Sequence, residues 1–323
     1  MITLGIDVSK AKIDCCIFPS GLTGKRKTKR FDNAQSGFVK LVKWLTELDV
    51  NLSDTRAVME ATSVYHENLA HFLYDMELTI CIANPARVRA FAKGLSMLNK
   101  TDKADSEALV YYANTVKLAT WQPEKENVRI LKALINRYAV LEEDLQREKN
   151  RLEKAQSTQT FPQVLLSINI RIQQLEQEII RLDETISSHV NGDSELKNDL
   201  ALLTTIPAVG RKTGLLMLGL LRSHHFEKAS QVAAYVGLVP IHFQSGSSVN
   251  KRSRLSKAGD SKIRSSLFMP SIVALQYNPH IKALYQRLRE KGKPKMSMFS
   301  CFKARSAPEI LATMTEILVL FFF

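Results

Sequence analysis

The sequence predicts an α/β domain with a mixed sheet, then a helical hairpin or coiled-coil arm, then a mostly α-helical basic domain. Three observations predict this order. Short apolar alternations trade with helical spacings over residues 1–120. Apolar residues recur every three or four positions over residues 121–195. Charge is unevenly divided: residues 1–199 carry 27 basic and 27 acidic side chains, whereas residues 200–323 carry 18 and 5. The third segment, residues 196–323, therefore carries the whole net charge of +13, since Lys197 and Asp199 cancel.

Ile2, Leu4 and Ile6 alternate in a first strand that stops at Asp7. A short turn at Ser9-Lys10-Ala11 leads to a second strand over Lys12–Phe18, and the basic run Lys25–Arg30 opens a third. Phe38, Leu41, Leu45 and Leu48 set a helix over Asn33–Leu48, with Ser36 near its N-cap. Arg56–Met59 reads as a buried strand that stops at Glu60. Helix His66–Met76, strand Leu78–Ala83 and helix Ala86–Leu95 follow, the last after the Asn84-Pro85 break, and Asp102–Tyr112 begins another helix.

In the arm, Leu131, Leu134, Tyr138, Leu141, Leu145 and Leu152 form one stripe, and Ile168, Ile172, Leu175, Ile179, Leu182 and Ile186 form another, with a break near Thr160–Pro162. The two helices either pack on their own domain or serve a dimer. In the C-terminal part an apolar helix spans Thr213–Leu221, a turn-rich stretch covers Pro240–Gly259, and helices span Lys262–Tyr277 and Pro279–Glu290.

Composition excludes several classes. A chain that is 45% hydrophobic and 24% charged is not disordered. The cysteines Cys15, Cys16, Cys81 and Cys301 form no C-x-x-C pair and no zinc spacing. The N-terminus lacks a basic secretory start, and the apolar run Ile310–Phe323 is too short to span a bilayer. A cytoplasmic protein with no membrane partner is expected. A net +13 calls for a polyanion, most commonly nucleic acid.

Asp7 and Glu60 stand at strand ends, and Asp102 and Asp105 are three apart at a helix start, so they share a helix face. Carboxylates gathered at such a place repel unless cations neutralise them, and two Mg²⁺ ions roughly 3.5–4 Å apart serve in-line phosphoryl displacement. An aspartate after a strand is also a common turn or cap residue, and Asp102 alone would suit a helix N-terminus. Asp14 is a spare carboxylate one strand over. Thr205–Gly210 has the shape of a helix-hairpin-helix turn, in which backbone N–H groups bind phosphate, but Ala208 replaces the usual first glycine. A plain interhelical connection is the alternative.

Several stretches together carry a resemblance. Gly5-Ile6-Asp7-Val8-Ser9-Lys10, then Met59-Glu60-Ala61-Thr62 with Tyr65, then Asn84–Ala92 and Lys100-Thr101-Asp102-Lys103-Ala104-Asp105 come in order. They are followed by Thr205–Gly210, Ala234–Pro240, Gln244-Ser245-Gly246 and Leu255–Asp260. Over roughly residues 1–296 the chain resembles the transposases of the insertion-sequence-110 family, in particular its 1111 subgroup, and the related Piv-type DNA invertases.

The resemblance implies a RuvC-like, RNase H-fold first domain with a Mg²⁺ (or Mn²⁺) site at Asp7, Glu60, Asp102 and Asp105. It implies that Ser245 is the nucleophile on DNA phosphate, although Ser247 and Ser248 lie close by. It also implies a homo-oligomer (dimer or tetramer), a structured RNA encoded by the element, and DNA partners at element ends and target. Lys251, Arg252, Arg254 and Lys257, with Lys262 and Arg264 behind them, place cations near that serine, and Gly210 belongs to the phosphate-binding turn. Lys25–Arg30 is a further cation run that either contacts a nucleic-acid backbone or guards an edge strand. Ser106 stands where a small alanine is expected, and after Met296 the family pattern stops. A nuclease using metal-activated water and an inactive nucleic-acid-binding remnant are the alternative readings.

Overall fold

The computed structural model describes residues 1–61, 64–95, 102–224, 226, 228–245, 249–256 and 258–290. The atypical stretch after residue 296 lies outside them. The chain divides into two units, Met1–Pro123 and Glu124–Phe323.

The first unit is a mixed α/β domain. Its strands are β1 (Ile2–Val8), β2 (Lys12–Ile17), β3 (Lys27–Asp32), β4 (Thr55–Glu60) and β5 (Thr79–Ala83), in the sheet order β3-β2-β1-β4-β5. β1–β2–β3 run antiparallel, whereas β1–β4–β5 run parallel. Its helices are α1 (Gln35–Glu47), α2 (Glu67–Asp75), α3 (Pro85–Gly94) and α4 (Asp102–Thr115). Parallel neighbours need crossovers, which α1 and α2 supply. Phe38, Leu41, Leu45 and Leu69 cover one sheet face, against Leu4, Ile6, Ile13 and Phe31. The other face packs Val58 and Cys81 with Leu109 and Tyr112 of α4.

Local signals explain most of these boundaries. Asn84 caps α3 by accepting from the Ala86 N–H at 2.9 Å, and Pro85 sits at the first helical position. The expected Ser36 cap is corrected: α1 begins at Gln35 from Ala34, which makes no side-chain cap bond. The chain turns tightly into the helix there: a Cβ on Gly37 would lie 2.0 Å from the Asp32 carbonyl oxygen. Cys15, Cys16 and Cys81 are buried free thiols.

α4 crosses β1 at very close range. A Cβ on Gly5 would lie 2.1 Å from the Ser106 carbonyl oxygen and 2.8 Å from a Val110 methyl. Ser106 itself is fully buried, so the small side chain expected there has a packing cause.

The second unit contains α5 (Glu126–Gln156), α6 (Pro162–Asn191), α7 (Ser194–Thr204), α8 (Arg211–Ser223) and α9 (Ala229–Val236), then β6 (Pro240–Ser245) and β7 (Val249–Leu255), then α10 (Ser261–Ser266), α11 (Phe268–Tyr277) and α12 (Pro279–Glu290). It is mostly helical. α5 and α6 form the expected hairpin, with Arg137–Glu178 and Lys149–Glu176 ion pairs at 2.8 Å between them. Val128, Leu131, Ile186 and Val190, at its base, join one core with Leu203, Leu218 and Val236. The arm is therefore rooted in its own unit by apolar burial.

Two expectations are corrected here. The turn-rich stretch Pro240–Gly259 holds an antiparallel ribbon, in which Ile241 pairs with Arg254 and Ser245 with Val249. The helix expected over Lys262–Tyr277 is two helices that meet at Leu267. Asp260 caps the first, accepting from Lys262 N–H at 2.7 Å.

Nearly buried Asp199 on α7 is paired with Arg222 on α8. Burial pushes its carboxyl above the ordinary value, and the Arg222 hydrogen bond and charge pull it back. Two predictions follow from this packing. Gly5→Ala is expected to cost about 3 kcal/mol or more, because a methyl against a backbone carbonyl cannot be absorbed by a rotamer change; urea unfolding measures it. Arg222→Ala is expected to cost about 3 kcal/mol at neutral pH by leaving Asp199 unpaired. A carboxyl raised in the folded state favours the fold in acid and loses that contribution as pH rises through its folded value. The variant's deficit in thermal midpoint should therefore shrink on acidification toward the ordinary carboxyl range.

Candidate functional site

β1 and β4 are parallel neighbours, with Ile6 beside Met59, so Asp7 and Glu60 come out at the same end of the sheet. That is the carboxyl end of parallel strands, where α/β sheets place their sites. Asp105 arrives from α4, directly before the Ser106 carbonyl that lies against Gly5. The glycine thus sets how near α4 comes to the sheet, and with it the distance between Asp105 and the strand ends.

Asp7 and Asp105 both act on Glu60 through their charge. The Glu60 carboxyl is pushed up, first by burial, then by the charge of Asp7 and then by that of Asp105. Arg89 on α3 pulls it down. Arg89 lies within the stretch Asn84–Ala92 but was not among the site residues read from the sequence. Its position one turn into a helix that follows β5 was the available signal.

Asp102 opens α4, one turn before Asp105, but its side chain lies outside the described residues. Among the described residues no group of three or more His, Cys, Asp or Glu side chains closes into a metal cage. Charge repulsion acts over several ångströms, whereas chelation requires oxygens about 2.1 Å from one point. The two observations are thus compatible. Asp14 pairs directly with Asp7 in the β1–β2 register, yet both its oxygens accept from Arg30 Nε at 2.9 Å. That guanidinium offsets two carboxylates set side by side and leaves Asp14 a structural residue.

In the second unit, Ser245 is the last residue of β6, facing Val249 across the ribbon end. Its side chain, and the residues 246–248 that hold Ser247 and Ser248, lie outside the described set. Lys251, Arg252 and Arg254 lie on β7, with side chains also outside it, as is Lys257 altogether. Lys262 is exposed in the first turn of α10. Arg264 donates to the Val236 carbonyl at 2.8 Å, binding the end of α9. That carbonyl occupies one nitrogen of its guanidinium.

The Thr205–Gly210 turn has a left-handed residue, Ala208, at φ 79°. Alanine stands where the backbone favours glycine, so the tight hairpin geometry persists without it. Gly210 is the N-cap of α8. The side chains of the next two residues are tied to the arm: Arg211 pairs with Asp183 and donates to Ser187 at 2.7 Å, and Lys212 meets Glu142 at 2.5 Å. The first-turn N–H groups of α8 remain the part of this turn able to meet a phosphate.

Residues 4–162 match a family model described as "Transposase", and residues 200–286 match one described as "Transposase IS116/IS110/IS902 family". The "Pilin gene-inverting protein" of Moraxella bovis is 34% identical over 294 residues, covering 90% of this chain and 89% of that protein. The chain belongs to the IS110 family of transposases and Piv-type invertases. The Moraxella lacunata pilin gene-inverting protein is also 34% identical, over 296 residues, with 90% and 89% covered. A Thermus thermophilus RuvC structure aligns with 38% of this family member and all of RuvC, at 10% identity and a TM-score of 0.28. No described helix is long and apolar enough to cross a membrane.

Relief of the left-handed alanine gives a test of the turn. Ala208→Gly is expected to stabilise the protein by about 0.5–1 kcal/mol, read from the shift in its urea midpoint.

Proposed function

We propose that this protein is a DNA recombinase that cuts and rejoins strands at an insertion-sequence end, with a metal-bearing carboxylate site and a serine nucleophile. The observation that carries the proposal is the convergence of Asp7, Glu60 and Asp105 from β1, β4 and α4, near enough that the charges of Asp7 and Asp105 both act on Glu60. The mixed sheet that presents them supports a RuvC-like reading of the first unit.

The donor set is all carboxylate oxygen, which fits a hard divalent cation such as Mg²⁺, or Mn²⁺ in its place. Asp7, Glu60, Asp105 and Asp102 are the residues that would hold it. When bound, such ions polarise the phosphate and neutralise charge on the attacking and leaving oxygens. Exposed Arg89 adds a cation beside Glu60, suited to a phosphate oxygen.

Ser245 is proposed to attack phosphorus through its Oγ. The Oγ–P bond forms as one deoxyribose P–O bond breaks. The serine proton is lost, and the departing sugar oxygen gains one. A strand hydroxyl from the exchange partner then reverses the step and frees the serine. Bond energy is conserved in the phosphoserine link, so joining needs no nucleotide cofactor. The cations of β7 and α10 hold the DNA backbone. An element-encoded RNA guide and a homo-oligomeric assembly belong to the same proposal and rest on family membership.

The test incubates the protein with element-end DNA, flanking RNA and Mg²⁺. A covalent protein–DNA adduct and a joined product are expected. Asp7→Asn and Ser245→Ala should each lower product formation about 10³-fold or more, with DNA affinity retained in a mobility-shift assay. An adduct that survives Ser245→Ala would reject the serine assignment. Free hydroxyl products without any adduct would favour a water-using nuclease.

A further inference from the structure

The first unit carries a second charged surface besides the candidate carboxylates. Residues 8–46 hold nine Lys or Arg and two Asp or Glu, whereas the other residues of 1–123 hold seven and eleven. The fold gathers part of this excess around a cleft of about 520 Å³ between β3 and α1. Lys12, Lys29, Arg30, Lys40 and Lys43 line it, together with the carboxylates Asp32 and Glu47, so cations outnumber anions there by five to two.

The arginines of the Lys25–Arg30 run are already engaged. Arg26 pairs with Glu107, and Arg30 with Asp14. Lys12, Lys40 and Lys43 have no ion-pair partner among the described residues. Lys40 and Lys43 are exposed three residues apart on α1, a like-charge neighbour pair that repels. Guarding the open edge of β3 calls for cations on that strand, but not on the helix beside it. Convergence from three elements suits an anion.

We propose that this cleft binds the phosphates of a double-helical nucleic acid, DNA in the reaction above. The cleft's aromatic, Phe31, is 5% exposed and packs on Trp44 at 5.7 Å between ring centroids. It offers no open face on which an unpaired base could stack, as a single-strand site needs. Cations without a stacking ring read a backbone whose bases are already stacked on one another. The surface is a contact without sequence preference, and it gives the first unit its own hold on nucleic acid.

The inference rests on the proposed nucleic-acid function, and the test separates the two. The full chain is titrated against a short DNA duplex and against single-stranded RNA of equal length, over a range of salt. The triple variant Lys12→Ala, Lys40→Ala, Lys43→Ala should bind the duplex about tenfold more weakly, with its salt slope reduced by about 2–3. The charge-keeping variant Lys12→Arg, Lys40→Arg, Lys43→Arg should bind as wild type does. Both should keep the wild-type thermal midpoint, since these side chains are exposed. An unchanged duplex slope in the alanine variant overturns the cleft alone. A loss confined to the RNA probe overturns the duplex assignment. Wild-type protein that binds neither probe overturns the cleft and the proposed function together.

Discussion

The contact between Gly5 and the Ser106 carbonyl is the constraint on which the first unit depends. A strand and a helix pack this closely only where the strand lacks a side chain. The contact fixes the depth of α4 on the sheet. That depth brings Asp105 into electrostatic range of Glu60. A wider spacing would leave two carboxylates at strand ends and one on a distant helix. The repulsion seen at Glu60 is the cost of that closeness, and close packing elsewhere in the unit sustains it.

Much of this was legible in the sequence because it is periodic or punctuated. Ile2, Leu4 and Ile6 alternate, so β1 and the exit of Asp7 could be read directly. Asn84-Pro85 marks the start of α3 by its own chemistry. The ribbon β6–β7 was not legible. Its serines, lysines and arginines read as a turn, because hydroxyls and cations are poor strand signals. Only pairing across the ribbon makes the stretch extended. Ser36 misled for a related reason: a hydroxyl near a helix start is a cap only if the backbone enters there. The backbone enters α1 at Ala34, two residues before Ser36.

The candidate site divides the same way. Asp7, Glu60 and Asp105 were found by their places at strand ends and a helix start. Arg89 was missed, because a cation on an exposed helix face is ordinary in sequence and becomes informative only beside Glu60. Asp14 and Arg30 show the converse. Both carry charge that chemistry could use, and each is the other's partner across two antiparallel strands. Ala208 obscured a tight turn by lacking the residue that usually announces it.

The order of the sheet also bears on how the protein is made. β1 sits at its centre and precedes the sheet's other strands in the chain, yet α4, which packs against its Gly5, follows about a hundred residues later. At typical synthesis rates of roughly 5–20 residues per second, Asp7 waits about 5–20 s before Asp105 can join it. Until then β1 can pair with β2 but not complete its acidic corner. Only after α4 has emerged does the growing chain hold all three carboxylates of that corner.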